Sequence, residues 1–405
     1  MGGLSCNCLK SENNTLVISE MNSTKTDVSF LRSVKRIQNS WRSFSLHKSE
    51  IKKSKANFHK SRSLDNQFPF HLRTELKEIY PETFTPFVSD KVLAVIKTIG
   101  PFIIEEKEQK YLDSINLYKM NPILYQNNVI YIGTYNEKGQ REGLGIMYLP
   151  EGGKFEGFFK SDLMNGRGRL VNFDGDYYEG YFDHDKANGF GKYVSSEGVV
   201  FKGNWKDDKQ DGKGEEVYLD GSRYEGEYSK GSKEGKGKFI WADGSIYEGN
   251  FKDNCLHGFG CYKWKDGRLF NGNWVINKME GSGEFLWPDG KKYIGQYKQD
   301  KKWGYGVFFW PNGKKYEGGW FSGKQHGLGI LTINEEKKYG EWKMGRRLRW
   351  ISENEGNYSK IIDEIKTTIA KNDENVVVVL NGNLGENAKD FKTKNYSSKG
   401  ELKVF

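Results

Sequence analysis

Phe201-Lys202-Gly203-Asn204-Trp205, followed by Gly212-Lys213-Gly214 and then by Gly221, is the stretch that decides the fold. With Phe201 as position 0, aromatics stand at 0 and +4 and glycines at +2, +11, +13 and +20. The spacing recurs every 23 residues, from starting aromatics Tyr131, Phe155, Tyr178, Phe201, Tyr224, Tyr247, Phe270, Tyr293 and Tyr316. One interval, Tyr131 to Phe155, carries an extra residue, and a truncated tenth copy follows at Lys338-Tyr339-Gly340-Glu341-Trp342. A fixed period of this length is the mark of a repeat architecture, in which each unit buries its apolar face against its neighbours.

The spacing within one unit has period 2. Positions 0, +2 and +4 share one face of a strand, and +11, +13, +15 and +17 share one face of the next. Phe239/Trp241, Tyr262/Trp264, Phe285/Trp287 and Phe308/Trp310 fall at +15 and +17. Each unit therefore reads as a β-hairpin. Its glycines clear room where an aromatic ring must lie on backbone, as at Gly180, Gly189 and Gly191 after Tyr178, or Gly203, Gly212 and Gly214 after Phe201. Gly226, Gly249, Gly295 and Gly318 repeat the +2 position after Tyr224, Tyr247, Tyr293 and Tyr316. The +20 glycines follow Asp, Glu or Asn, as turns with positive φ require, and Pro150, Pro288 and Pro311 stand just before such turns. Position +1, often Glu (Glu156, Glu179, Glu225, Glu248, Glu317), is expected to face solvent.

This unit resembles the MORN (membrane occupation and recognition nexus) repeat, with its Tyr-x-Gly-x-Trp and Gly-x-Gly signatures. The resemblance covers residues 131 to about 350. It implies an all-β repeat fold, an elongated single-layer antiparallel sheet of consecutive hairpins. About twenty strands at ~4.8 Å spacing would give a rod of roughly 95 Å. Such a sheet needs its ends covered. Ser89 to Met120 reads as a helical cover at one end, and Lys360 to Lys371 as a helix for the other.

Composition agrees. Of the 49 glycines in the 405 residues, 42 lie between Ile130 and Trp350, and aromatics reach 15%, so a large aliphatic core is not expected. The four cysteines, Cys6, Cys8, Cys255 and Cys261, form neither a disulfide framework nor a zinc spacing. The longest apolar run, Val92 to Ile104, is interrupted by Lys97, Thr98, Gly100 and Pro101, and no secretory signal follows Met1, so a cytoplasmic location is expected. The net charge of +9 is concentrated: Arg32 to Ser63 holds ten basic residues and one acidic one, and the rest of the chain balances. Attraction to anionic surfaces belongs to that segment.

Val34-Lys-Arg-Ile-Gln-Asn-Ser-Trp-Arg-Ser-Phe-Ser-Leu-His-Lys48 resembles the IQ motif that binds calmodulin and related EF-hand proteins, with His47 and Lys48 straddling its last basic position. Ile37, Gln38 and Arg42 match, while Ser43 stands where Gly is usual. Independently of that resemblance, Phe30, Val34, Ile37, Trp41 and Phe44 line one face of a basic amphipathic helix, suited to an EF-hand groove or a membrane surface. A helix docked on the repeats is the plainer alternative. Arg32, Lys35, Arg36, Lys48, Lys52, Lys53 and Lys55 are the expected lipid-headgroup contacts. Met1-Gly2-Gly3-Leu4-Ser5-Cys6-Asn7-Cys8 looks like an acylation site, with Gly2 open to myristoylation and Cys6 and Cys8 to palmitoylation; Cys6 departs from the usual Ser/Thr.

No catalytic constellation emerges. His257 and His326 share one repeat position beside the Gly-x-Gly, and Gly231-x-x-x-Gly235-x-Gly237 follows the hairpin period without the Lys-Ser/Thr ending of a phosphate loop. Charge balance across the repeats argues against nucleic acid. MORN repeats occur beside lipid phosphate kinases and a lysine methyltransferase, but neither flank carries such a motif, so no enzyme and no cofactor are expected. The organisation expected is residues 1–26 with the acylation site, 27–63 as the basic helix and polybasic tail, 64–88 as linker, 89–128 as helical cap, 129–350 as repeats and 351–405 as a mostly disordered tail. The leading functional expectation is a scaffold tethered at the cytoplasmic face of a membrane and regulated by calmodulin. The alternatives are a cytoskeletal or ciliary protein whose repeats bind an unidentified protein or a second copy, and direct phosphoinositide binding by the repeats.

Overall fold

The computed structural model describes residues 77–78, 87–125 and 128–352. The described residues divide into two compact units, one ending at residue 234 and the other beginning at residue 235.

In residues 21–234, short strands β1 (Lys77–Glu78), β2 (Tyr118–Lys119) and β3 (Ile123–Leu124) precede β4 (Ile130–Tyr135), β5 (Arg141–Tyr148), β6 (Lys154–Lys160), β7 (Leu163–Val171), β8 (Tyr177–Asp183), β9 (Lys186–Val194), β10 (Val200–Lys206), β11 (Lys209–Val217) and β12 (Arg223–Ser229). From β4 onward each strand pairs antiparallel with the next, so every repeat is a hairpin, as its period predicts. The unit 235–405 continues the same scheme: β13 (Ser232–Ile240), β14 (Ile246–Lys252), β15 (Cys255–Lys263), β16 (Leu269–Val275), β17 (Lys278–Leu286), β18 (Lys292–Lys298), β19 (Lys301–Phe309), β20 (Lys315–Phe321), β21 (Lys324–Ile333), β22 (Glu336–Lys343) and β23 (Arg346–Trp350).

The two Gly-x-Gly glycines do different jobs. A Cβ on Gly191 would lie 2.5 Å from Cε2 of Tyr178, and one on Gly180 would lie 2.5 Å from the Cα of Gly191. The ring at position 0 thus lies flat across the +2 and +13 glycines. Gly189, at +11, instead has φ +96°, and the ladder slips register beside it, between Gly180 and Phe182. Spacing alone had grouped +11 with +13 as room for rings; the backbone assigns +11 to a bulge.

The hairpins close at +6 and +7, a turn the glycine pattern did not point to. Asp207 and Asp208 have φ +48° and +64°, the two left-handed residues of a type I′ turn. Asp208 also reaches back a full repeat, its Oδ1 accepting the Ala187 N–H at 2.7 Å. Asp162, Asp185, Asn277 and Asp300 accept the N–H of Arg141, Met164, Leu256 and Met279 in the same way. Burial pushes the Asp208 carboxyl up to about 7. A regular Asp/Asn/Gly at +7 was the signal available in the sequence.

The residues expected as a helical cap contain α1 (Asp90–Ile99), capped by Ser89, and α2 (Glu106–Asp113). Helix α1 lies on a sheet face, not across the edge. Val92, Val95, Ile96 and Ile99 pack on Val171, Tyr177 and Val194, on the face opposite the position-0 aromatics. The edge is covered by strands, β2 and β3 pairing with β4 and β1 with β3. The reason is chemical: a sheet edge presents N–H and C=O groups that another strand satisfies, whereas a helix offers an apolar stripe. The expectation that the +1 glutamates face solvent is corrected at three of them: Glu317 accepts from the Tyr305 hydroxyl and pairs with Lys315 at 3.2 Å, and this cover takes up two more. Glu156 and Glu179 bind Arg169 at 3.2 and 3.0 Å, and Arg169 donates to the Gly100 carbonyl at 2.7 Å, while Arg167 binds Glu108 at 2.7 Å and stacks on Phe102. Glu225 does face solvent, as expected.

Candidate interaction face

On the aromatic face, packing and display are separate. The rings at 0 and +4 meet edge to face along each unit: Tyr178–Phe182 at 5.1 Å, Tyr178–Trp205 at 5.2 Å, Phe201–Trp205 at 5.2 Å, and in the second unit Phe270–Trp274 at 5.2 Å and Tyr293–Trp320 at 5.2 Å. Trp205 touches both Phe201 and the Tyr178 of the repeat before, and Trp320 both Tyr316 and Tyr293, so adjacent hairpins within each unit interlock. Tyr224, Tyr247, Tyr293 and Tyr316 are fully buried in this packing.

The rings at +15 and +17 behave differently. Between residues 239 and 310, Phe239, Trp241, Tyr262, Trp264, Phe285, Trp287, Phe308 and Trp310 form a continuous ladder, with successive centroids 4.6, 4.9, 4.4, 5.3, 4.3, 5.5 and 4.6 Å apart. Phe239, Trp241, Trp287 and Trp310 stay partly exposed. Arg268 stacks on Trp264 at 5.3 Å and Lys314 on Trp310 at 4.8 Å, so cations border the ladder. Repeats in residues 21–234 lack it: Asn172 and Ser195 stand at +17, and Glu216 at +15. A broad aromatic surface with few rotatable bonds suits the capture of another chain.

Position +9 lies beneath these rings and is filled by Met164, Ala187, Leu256 and Met279, all buried. Two lysines intrude. Lys233 pairs with buried Glu216 at 2.9 Å and donates to the Tyr218 hydroxyl at 2.8 Å. Lys302 instead has its Nζ among four rings, 5.0 Å from Trp287, 5.2 Å from Tyr293, 4.5 Å from Phe308 and 4.9 Å from Trp320. Ring quadrupoles return part of the lost hydration. Burial still brings the Lys302 amine down to about 8. Since the folded chain releases this proton before the unfolded one, whose lysine titrates near 10.5, stability contributed by this group rises as pH climbs from about 8 to 10.5. Lys302→Met, which copies the Met279 of the preceding repeat, is expected to stabilise the fold by about 1 kcal/mol at pH 7, with a gain that shrinks toward pH 10. Chemical denaturation at the two pH values measures it, and a pH-independent gain would reject the desolvated amine as its cause.

The position-0 rings, Trp205 and the +2 and +13 glycines chosen from the sequence lie in this packing, whereas Gly189 and Gly212 stand at positive φ in the bulges. The calmodulin set (Val34, Ile37, Gln38, Trp41, Arg42, Phe44), the lipid set and the acylation set (Gly2, Cys6, Cys8) lie outside the described residues. Burial pushes the Cys261 thiol up to about 11, which suits a packing role and not a reactive thiolate. Among the described residues no His/Cys/Asp/Glu cluster could hold a metal, and no helix is long and apolar enough to cross a membrane.

No curated protein matches the chain. Among solved structures, it is similar to the wild-type TCP10 domain of CPAP from Danio rerio, at 13% identity and TM-score 0.29 over 49% of this chain and 92% of that one. The TCP domain of SAS-4 from Drosophila melanogaster, solved with a proline-rich motif of Ana2, matches at 15% identity and TM-score 0.23 over 44% and 90%. These likenesses are too distant to carry function. The MORN repeat family model matches at residues 131–154, 155–177, 178–200, 201–223, 224–246, 247–267, 270–292, 293–315 and 316–334. Those boundaries coincide with the starting aromatics and their hairpins, and the chain therefore carries nine MORN repeats between residues 131 and 334.

Proposed function

We propose that this chain is a non-enzymatic scaffold whose aromatic ladder, Phe239 to Trp310, holds a segment of a partner protein. The observation that carries this reading is the ladder itself: eight rings in unbroken contact, half of them partly exposed, on strands that the interlocked rings beneath already stabilise. Packing alone does not require the +17 tryptophans, because repeats with Asn172 and Ser195 there form the same hairpins.

Peptide display against the purified full chain tests the reading. Selected peptides are expected to lose at least tenfold in affinity when Trp241, Trp287 and Trp310 are changed together to serine, with the unfolding midpoint changed little. Peptides that bind the variant equally would remove the ladder from the function.

A membrane tether is a second element of the proposal, favoured by the concentration of the whole net charge in residues 32–63. That segment would hold anionic lipid through its lysines and arginines, and calmodulin would compete by covering Arg36 and Arg42. A cytoskeletal or ciliary scaffold would keep its location when residues 1–63 are deleted. Lipid binding by the repeats themselves would appear as vesicle binding that survives both the deletion and high salt.

A further inference from the structure

On the face opposite the ladder, positions +12 and +14 carry Lys213 and Glu215, both exposed, then Lys236 and Lys238, Phe259 and Cys261, and Ser282 and Glu284 in the next three repeats. In the last two repeats the same positions become Tyr305 and Val307, then Leu328 and Ile330. Tyr305, Val307 and Ile330 form a cluster with only 1%, 6% and 9% of their surfaces exposed, and Phe309 and Tyr339 pack against it partly buried. At the same positions of this face Lys213 and Glu215 stand exposed, so burial this deep here calls for a second layer, because side chains stand up from the pleat into whatever lies above it.

The first unit shows how the fold meets that need. There α1 lays Val92, Val95, Ile96 and Ile99 over Val171, Tyr177 and Val194 on the equivalent face. A second stripe of this kind follows the last strand: Ile361, Ile362, Ile365 and Ile369 recur at spacings of one, three and four residues. Ser359 is placed to cap such a helix, Asp363 and Glu364 lie in its first turns, and Lys371 follows its end. The chain is also delivered to the right place. The Ile351 N–H bonds the Tyr339 carbonyl at 3.0 Å, so the polypeptide leaves β23 beside the rim of the cluster. The few residues from Ser352 to Tyr358 can reach about 20 Å, enough to bring the stripe over the cluster.

We propose that residues 359–371 of this chain form an amphipathic helix that docks its isoleucine stripe on Tyr305, Val307 and Ile330. It would be a face cover for the C-terminal unit as α1 is for the N-terminal one, where the sequence alone had offered this segment for the sheet end. The docked helix leaves the ladder free, since the two use opposite faces. The proposal stands or falls separately from the partner-binding role.

Thiol labelling of the full chain tests it. Cysteine is placed singly at 365, 369 or 367 (Ile365→Cys, Ile369→Cys, Thr367→Cys), and iodoacetamide modification is followed on the corresponding peptide by mass spectrometry. Positions 365 and 369 are expected to react at least tenfold more slowly than 367, which points away from the stripe, and the difference should vanish in denaturant. A benzophenone attached at position 365 should cross-link within one chain to β19 or β21. Equal labelling at all three positions overturns the proposal, as do cross-links mapping to other strands. Protection that grows with protein concentration would place the helix on a second copy and overturns the intramolecular contact.

Discussion

Gly191→Val is expected to lower stability by about 3 kcal/mol or more, among the largest losses available to a single substitution in the repeats. The new side chain would meet the Tyr178 ring at contact distances no real Cβ accepts, and that ring cannot move, since Phe182 and Trp205 hold its edges at 5.1 and 5.2 Å. Gly221→Ala is the informative partner. It too sits in a repeat position fixed as glycine, but its φ is +85° and an added Cβ meets nothing within 4 Å, so only the backbone preference is lost. That costs about 1 kcal/mol. Urea denaturation of the two variants compares a collision with a conformational preference. Equal losses would mean that room for the ring is not what position +13 provides.

The second large effect lies at Lys233 and Glu216. Both are almost fully buried, and Glu216 accepts from Lys233, Tyr218 and Tyr228 together. Lys233→Met alone leaves a carboxylate in the interior without its cation, which is expected to cost about 3 kcal/mol. The repeat itself suggests the repair. Other units place Met279 at +9 and Phe285 or Phe308 at +15, so Lys233→Met with Glu216→Phe restores an apolar pair. The double variant is expected within about 1 kcal/mol of the parent, because the hydroxyls of Tyr218 and Tyr228 lose an acceptor while the desolvated charges are gone. A four-protein denaturation cycle gives the coupling energy. Additive losses would show that the pair is not a unit and that the ion pair is dispensable to this core.

A repeat makes each position a comparison among several copies, so departures from the period become interpretable. Lys302 among four rings, Glu216 where an aromatic belongs and Val307 where a charge belongs are each visible as a break in a column. The break identifies the position but not its consequence. Lys233 and Lys302 occupy the same column, yet one finds a carboxylate and the other only rings.

The sequence alone determined the hairpins and the family, because a 23-residue period with alternating apolar positions leaves one strand arrangement in which all rings share a face. It also located the Phe239 to Trp310 rings on that face. It left four matters to the tertiary structure: that the +13 glycine serves a ring while the +11 glycine serves a bulge, that the hairpins close on left-handed residues at +6 and +7, that +7 carboxylates bind the preceding repeat, and that α1 covers a face instead of an edge. The reason is common to all four. Periodicity reports which way a side chain points, one strand at a time. Ring contact distance, backbone φ and what lies 21 residues away depend on how neighbouring hairpins stack, and that is decided only when the strands are assembled.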